Sequence, residues 1–135
     1  MKKVYLAGPF HSNWQKEVKE HFALRGEFTF LDPRENWVNK TFKHPSEYWP
    51  WNIQAIKEAD IVFVYVKDYE TDVFGCGHIF EMGVATALGK LVILVNEIDH
   101  RYFTQYDALP NVVYFTKLKE GINYLLVWKR FGKKE

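Results

Sequence analysis

Residues 60–66 read DIVFVYV, with no polar position after Asp60, and residues 91–95 read LVILV. A strand that leaves one face to water alternates apolar with polar residues. These two runs do not, so both of their faces must be covered. Helices on both sides of a sheet meet that demand, and a helix between successive strands makes those strands parallel.

The rest of the chain supplies the pattern. Residues 3–7 (KVYLA) form a short apolar run stopped by Gly8-Pro9, which reads as the first strand. Ser12 and Gln15 have the spacing of a capping box, which opens a helix predicted to run to about Arg25-Gly26. EFTFL (27–31), ending at Asp32-Pro33, is a second strand, and residues 34–46 read as polar and irregular with Trp37 standing alone. SEYWPWNIQAIKEA (46–59) reads as a helix with Pro50 in its first turn. DIVFVYV is the third strand, LVILV the fourth and NVVYF (111–115) the fifth, and TKLKEGINYLLVWKRF (116–131) closes the chain as an amphipathic helix. The expected fold is a single α/β domain over 1–135, a doubly wound five-stranded parallel sheet, flavodoxin-like, in the order 2-1-3-4-5. Such sheets bind ligands at the carboxyl ends of their strands, near the switch point between strands one and three. Here those exits are Ala7-Gly8-Pro9-Phe10, Asp32-Pro33-Arg34, the loop 67–77 and Asn96-Glu97.

Composition narrows the partners. Eighteen Lys and Arg against 17 Asp and Glu, a net charge of +1, argue against a polybasic surface for polymeric nucleic acid or membranes. Cys76 is the one cysteine and the five histidines are scattered, so neither a disulfide nor a metal-ligand spacing is present in the sequence. No apolar run approaches the roughly 20 residues of a membrane span. A soluble, cytoplasmic protein without a metal or cofactor is expected. Aromatic residues make up 18% of the chain, a surplus that calls for either core packing or stacking of flat ligands.

The segment FGCGHIFEMGVATALGK (74–90) is apolar almost all round yet carries Glu81 near its start. One reading makes Glu81 a first-turn carboxylate favoured by the helix dipole, worth about 0.3–1 kcal/mol, or the N3 acid of a capping box with His78 as N-cap. The other makes it an ionised carboxylate facing the crevice, able to attack a sugar carbon of oxocarbenium character. Spacing alone leaves both open. Gly83 and Ala87 read as small residues that let this helix lie close on the sheet, and Gly89 as its C-terminal cap.

VYLAGPF, AIKEADIVFVYV and FEMGVATALGK together resemble the nucleoside 2-deoxyribosyltransferase family from Val4 to about Val95, most strongly in the spacing of Glu81, Gly83, Ala85, Ala87, Gly89 and Lys90. The resemblance implies exchange of the base of a 2'-deoxynucleoside by double displacement, with Glu81 as nucleophile and Tyr5 as its hydrogen-bond partner from the first strand. Asn52 stands where relatives carry an aspartate that contacts the nucleoside, and an amide cannot donate a carboxylic proton. Gly75 stands where many relatives carry a second aspartate, so Asp72 is taken as the acid, with His78 as an alternative. Gly8, Pro9, Phe10, Asn52, Gly77 and His78 are expected to line the substrate. Among Phe10, Trp14, Trp37, Trp49 and Trp51, Trp37 is the expected base-stacking residue. Trp49 and Trp51, two apart, are expected on different helix faces. Relatives are oligomers, so a homo-oligomer is expected. Two rivals stand beside this reading. A hydrolase of 2'-deoxynucleoside 5'-monophosphates would use His11, Ser12, Asn13 and Arg34 as phosphate donors, whereas a nucleotide-binding module would have no turnover.

Overall fold

In the computed structural model, residues 2–10, 12–22, 28–67, 76–97 and 105–131 are described. Along the chain these are β1 (Lys2–Ala7), α1 (Trp14–Phe22), β2 (Phe28–Leu31), α2 (Pro33–Val38), α3 (Pro45–Glu58), β3 (Ile61–Val66), α4 (Cys76–Ala87), β4 (Leu91–Asn96), a 3-10 turn (Gln105–Ala108), β5 (Val112–Phe115) and α5 (Leu118–Phe131). All strand pairs are parallel and their order is β2-β1-β3-β4-β5, as the sequence predicts.

β3 shows why its run has no polar position. Ile61, Phe63 and Tyr65 enter one core with Trp14 and Val18 of α1 and Leu118, Ile122 and Leu125 of α5. Val62, Val64 and Val66 enter the other, with Ala55 and Ile56 of α3 and Met82 and Ala85 of α4. Alternate side chains point to opposite faces, so a strand between two helical layers is apolar throughout. Among the described residues much of the aromatic surplus packs in or against the two cores, with Trp14 near Phe63 and Tyr65, and Phe28 near Trp128.

Several local expectations are corrected. Residues 34–46 are not wholly irregular: Asp32 caps α2 by accepting from the Arg34 N–H, and Pro33 occupies the first helical position, where its missing N–H costs nothing. The Ser12–Gln15 capping box does not form, because the Gln15 amide turns back to the Pro9 carbonyl at 2.9 Å. α3 begins one residue early, at Pro45, under a capping box of His44 and Glu47, which places Pro50 inside the helix rather than in its first turn. Gly83 and Ala87 face outward, and a Cβ on Gly83 would meet nothing within 4 Å; Met82 and Ala85 are what α4 lays on the sheet. Gly89 does cap α4. Its φ is +73°, its N–H reaches the Thr86 carbonyl, and the Lys90 N–H reaches Ala85, which is the Schellman pattern.

Close packing of α5 depends on Gly121. A Cβ there would lie 2.5 Å from Val95 Cγ2 and 3.0 Å from Phe63 Cζ. Gly121→Ala is therefore expected to destabilise the fold by about 1–3 kcal/mol through overpacking, against the small gain that alanine ordinarily brings to a helix. Urea denaturation of the two proteins measures it.

Candidate active site

The exit of β1 is pinned from three sides. Trp14 Nε1 and Gln15 Nε2 both donate to the Pro9 carbonyl, at 3.0 and 2.9 Å, and Arg34 Nε donates to the Phe10 carbonyl at 3.0 Å. Gly8 is required by the chain's own packing: a Cβ there would stand 2.7 Å from the Trp14 ring and 2.8 Å from the Tyr65 carbonyl. The Phe10 ring meets Trp37 at 5.5 Å, and Trp37 is 53% exposed. Trp37 thus does not stand alone; it forms an aromatic pair at the β1 and β2 exits.

Glu81 is the sixth residue of α4, because the helix starts at Cys76 rather than at His78, and the first turn holds no acid. Both the dipole reading and the capping reading of Glu81 fail on that count. The side chain turns inward and is buried at 5% exposure. Tyr5 Oη, from the middle of β1, donates to Glu81 Oε2, and Asn52 Nδ2, from α3, donates to the same oxygen at 3.3 Å. Burial pushes the Glu81 carboxyl up to about 7, opposed by the hydrogen bonds from Tyr5 and Asn52, which favour its ionised form. The Tyr5 hydroxyl is driven well above the ordinary tyrosine range, first by burial and then by the neighbouring Glu81 charge, so it stays protonated as a donor. These two side chains, rather than the helix dipole, thus favour the charged form of Glu81.

Asn52 shares its buried helix face with Ala55 and Ile56, where an unpartnered amide would be costly. Its place is explained by the bond to Glu81. Trp49 and Trp51 diverge as expected. Trp49 packs edge-on against Phe80 and lies 3.9 Å from the Cβ position of Gly77, over the first turn of α4, whereas Trp51 packs near Phe42 and the α3–α4 core. Pro9 and Phe10 lie at the pinned exit, and Gly77 and the His78 backbone lie in the first turn of α4. Asp72, His11, Gly75 and the His78 side chain lie outside the described residues. The sequence reading gave Gln15 a capping role and Arg34 a place at the β2 exit as a phosphate donor, and missed that both hold the β1 exit. Their tasks depend on which carbonyl the fold turns toward them.

A separate cleft of about 300 Å³ lies beside the β2 exit, lined by Gln15, Lys19, Asp32, Arg34 and Glu35 among others. Lys19 bridges Asp32 at 2.7 Å and Glu35 at 2.5 Å, so much of its charge is already paired, and Glu81 does not line it. Among the described residues no group of three or more His, Cys, Asp and Glu side chains could hold a metal ion, and no helix is long and apolar enough to cross a membrane.

Solved structures share this fold. A 2-desoxiribosyltransferase from Leishmania mexicana matches with a TM-score of 0.68 at 21% identity, over 97% of this chain and 99% of the other. The CMP N-glycosidase BcmB of Clostridium botulinum matches with a TM-score of 0.64 at 23% identity, over 93% and 99%. In sequence, the Bacillus subtilis (strain 168) protein YtoQ is 53% identical over 34 residues, only 24% of this chain and 23% of that relative. The family model described as nucleoside 2-deoxyribosyltransferase like matches residues 1–98, which include β1, α3, Tyr5, Asn52 and Glu81. With its sheet order and this match over most of its length, the chain belongs to the nucleoside 2-deoxyribosyltransferase-like family.

Proposed function

We propose that the protein cleaves the N-glycosidic bond of 2'-deoxynucleosides and transfers the deoxyribosyl group to another nucleobase. The observation that carries this is the buried Glu81 carboxylate, held through one oxygen by Tyr5 and Asn52. A rigid carboxylate of near-neutral pKa is ionised in a useful fraction at pH 7 and meets little water to solvate it away from an electrophile. In the first step a Glu81 oxygen bonds to C1' as the C1'–N bond breaks. The bonding pair leaves on the base nitrogen, and the base takes up a proton. In the second step a nitrogen of the incoming base attacks C1', loses a proton, and returns the carboxylate. Two displacements retain the anomeric configuration.

In this reading Asp72 supplies the proton to the departing base, with His78 as the alternative, and Gly8, Pro9, Phe10 and Gly77 line the substrate. The Phe10–Trp37 pair stacks the base. Trp37→Ala is then expected to raise KM about tenfold with kcat changed less than about threefold, since stacking on an exposed ring contributes binding more than chemistry. Steady-state kinetics on deoxyadenosine checks this. The protein acts as one domain over 1–135, in the cytoplasm, without a cofactor, as a homo-oligomer. The outward apolar residues Ile79 and Phe80 of α4, with Leu88 just after its end, support a subunit contact.

A second reading, transfer to water from a 2'-deoxynucleoside 5'-monophosphate, is supported by the likeness to a structure named as a CMP N-glycosidase and by Arg34 beside the β1 exit. One experiment separates the two readings: base release from deoxyadenosine and from its 5'-monophosphate, each with and without an acceptor base. Transfer predicts turnover of the free nucleoside that depends on the acceptor. Hydrolysis predicts release from the monophosphate alone. Intact-mass spectrometry after incubation with a 2'-deoxynucleoside tests the covalent step, with a deoxyribosyl adduct expected on Glu81.

A further inference from the structure

The buried face of α3 carries Asn52, Ala55 and Ile56, and an amide at a position otherwise apolar needs a partner strong enough to hold it there. That partner is Glu81 Oε2, which also takes the Tyr5 hydroxyl. No hydrogen bond to Oε1 is present among the described residues. We propose that Asn52 is a positioning residue for the nucleophile rather than a contact for the nucleoside: with Tyr5 it engages Oε2 and leaves Oε1 as the atom that bonds to C1'. The inference rests on the glycosyl-transfer reading for its chemistry, and on the three-residue geometry for the assignment.

Two features favour an amide at this position. A donor N–H stabilises the ionised carboxylate and disfavours the neutral one, against the pull of burial. A carboxylate at position 52 would instead place two like charges a hydrogen bond apart in a dry site, so the pair would keep one proton and titrate as a unit. Among the described residues, the other elements packed around Glu81 place no charged side chain against it. β3 offers Val62, Val64 and Val66, and β4 offers Val92 and Leu94 with the neutral Asn96, while β1 brings Tyr5, behind which Asp32 stands at the β2 exit. On α4 itself the side chains of Cys76 and His78 lie outside the description, as does the loop that holds Asp72.

The test uses Asn52→Asp, which keeps the shape, and Asn52→Leu, which removes the donor at similar volume. It has two readouts: pH profiles of kcat and kcat/KM, and titration of the ¹³C-labelled Glu81 carboxyl by NMR in the ligand-free protein. With Asn52→Asp the proposal expects a new alkaline limb in kcat, from loss of the shared proton, and a Glu81 carboxyl signal that titrates in two steps. With Asn52→Leu it expects Glu81 to titrate at higher pH than in the wild type, and kcat at pH 7 to fall about tenfold with KM changed less than about threefold. A KM that rises about tenfold with an unmoved Glu81 titration would overturn it and return Asn52 to the substrate. If Glu81→Gln retains turnover, the glycosyl-transfer reading and the attacking role of Oε1 both fall. The NMR titration still decides whether Asn52 holds the Glu81 charge.

Discussion

Glu81→Gln and Glu81→Ala are expected to lower deoxyribosyl transfer by at least about 10³-fold and to abolish the covalent adduct, because the proposed mechanism makes this carboxylate the nucleophile. The glutamine variant is the sharper of the two. It keeps the volume of the side chain and an oxygen able to accept from Tyr5 and Asn52, so the packing of α4 against β1 and α3 is preserved. A loss common to both variants then comes from the missing carboxylate rather than from a cavity. Adduct formation at Glu81 in the wild type, its absence in both variants, and unchanged binding of a nucleoside would together assign the residue to the chemical step. Transfer at wild-type rate by Glu81→Gln would remove Glu81 from that step.

The same substitution is expected to make the protein more stable at alkaline pH. The Glu81 carboxyl titrates near 4.5 when unfolded and at about 7 when folded, raised chiefly by burial. Between those values the folded state holds a proton that the unfolded state has lost. The stability carried by the neutral carboxyl is therefore full below about 4.5 and is lost as pH rises through about 7. At about 1.4 kcal/mol per unit, the shift from 4.5 to about 7 makes the loss on the order of 3 kcal/mol. Glutamine never ionises, so Glu81→Gln should match the wild type near pH 4.5 and exceed it by that order above pH 7.5 in urea denaturation. Other titrating groups are common to both proteins and cancel in the difference. A difference that does not vary with pH would mean that Glu81 is not held in a desolvated state. The charged form that the proposed mechanism requires is the one that weakens the fold, a trade commonly located at active sites.

Much of the architecture was legible in the sequence because it is written locally. The unbroken apolar runs of β3 and β4 state that helices cover both faces, and alternation of strands and helices then leaves few topologies. Gly89 announces the end of α4 because a left-handed φ suits glycine above other residues. Where caps compete, local reading was less sure. Asp32-Pro33 opens a helix that the polar stretch after it disguised, and Gln15 turns to the Pro9 carbonyl rather than to its own helix end. The start of α4 at Cys76 moved Glu81 from the first turn to the second, and with it the physical reason for its charge.

By itself, then, the sequence determined the layered sheet, the strand exits and the presence of a glutamate beside them, since these follow from periodicity and from signals a few residues long. Only the tertiary structure decided what that glutamate experiences. Tyr5 lies 76 residues before Glu81 and Asn52 lies 29 before it, and they converge on one carboxylate oxygen because α3 and α4 pack on the face of the sheet to which Tyr5 of β1 points. Burial and hydrogen bonding across such distances belong to no segment of the chain, so a carboxyl pushed to about 7 is a property of the assembled fold.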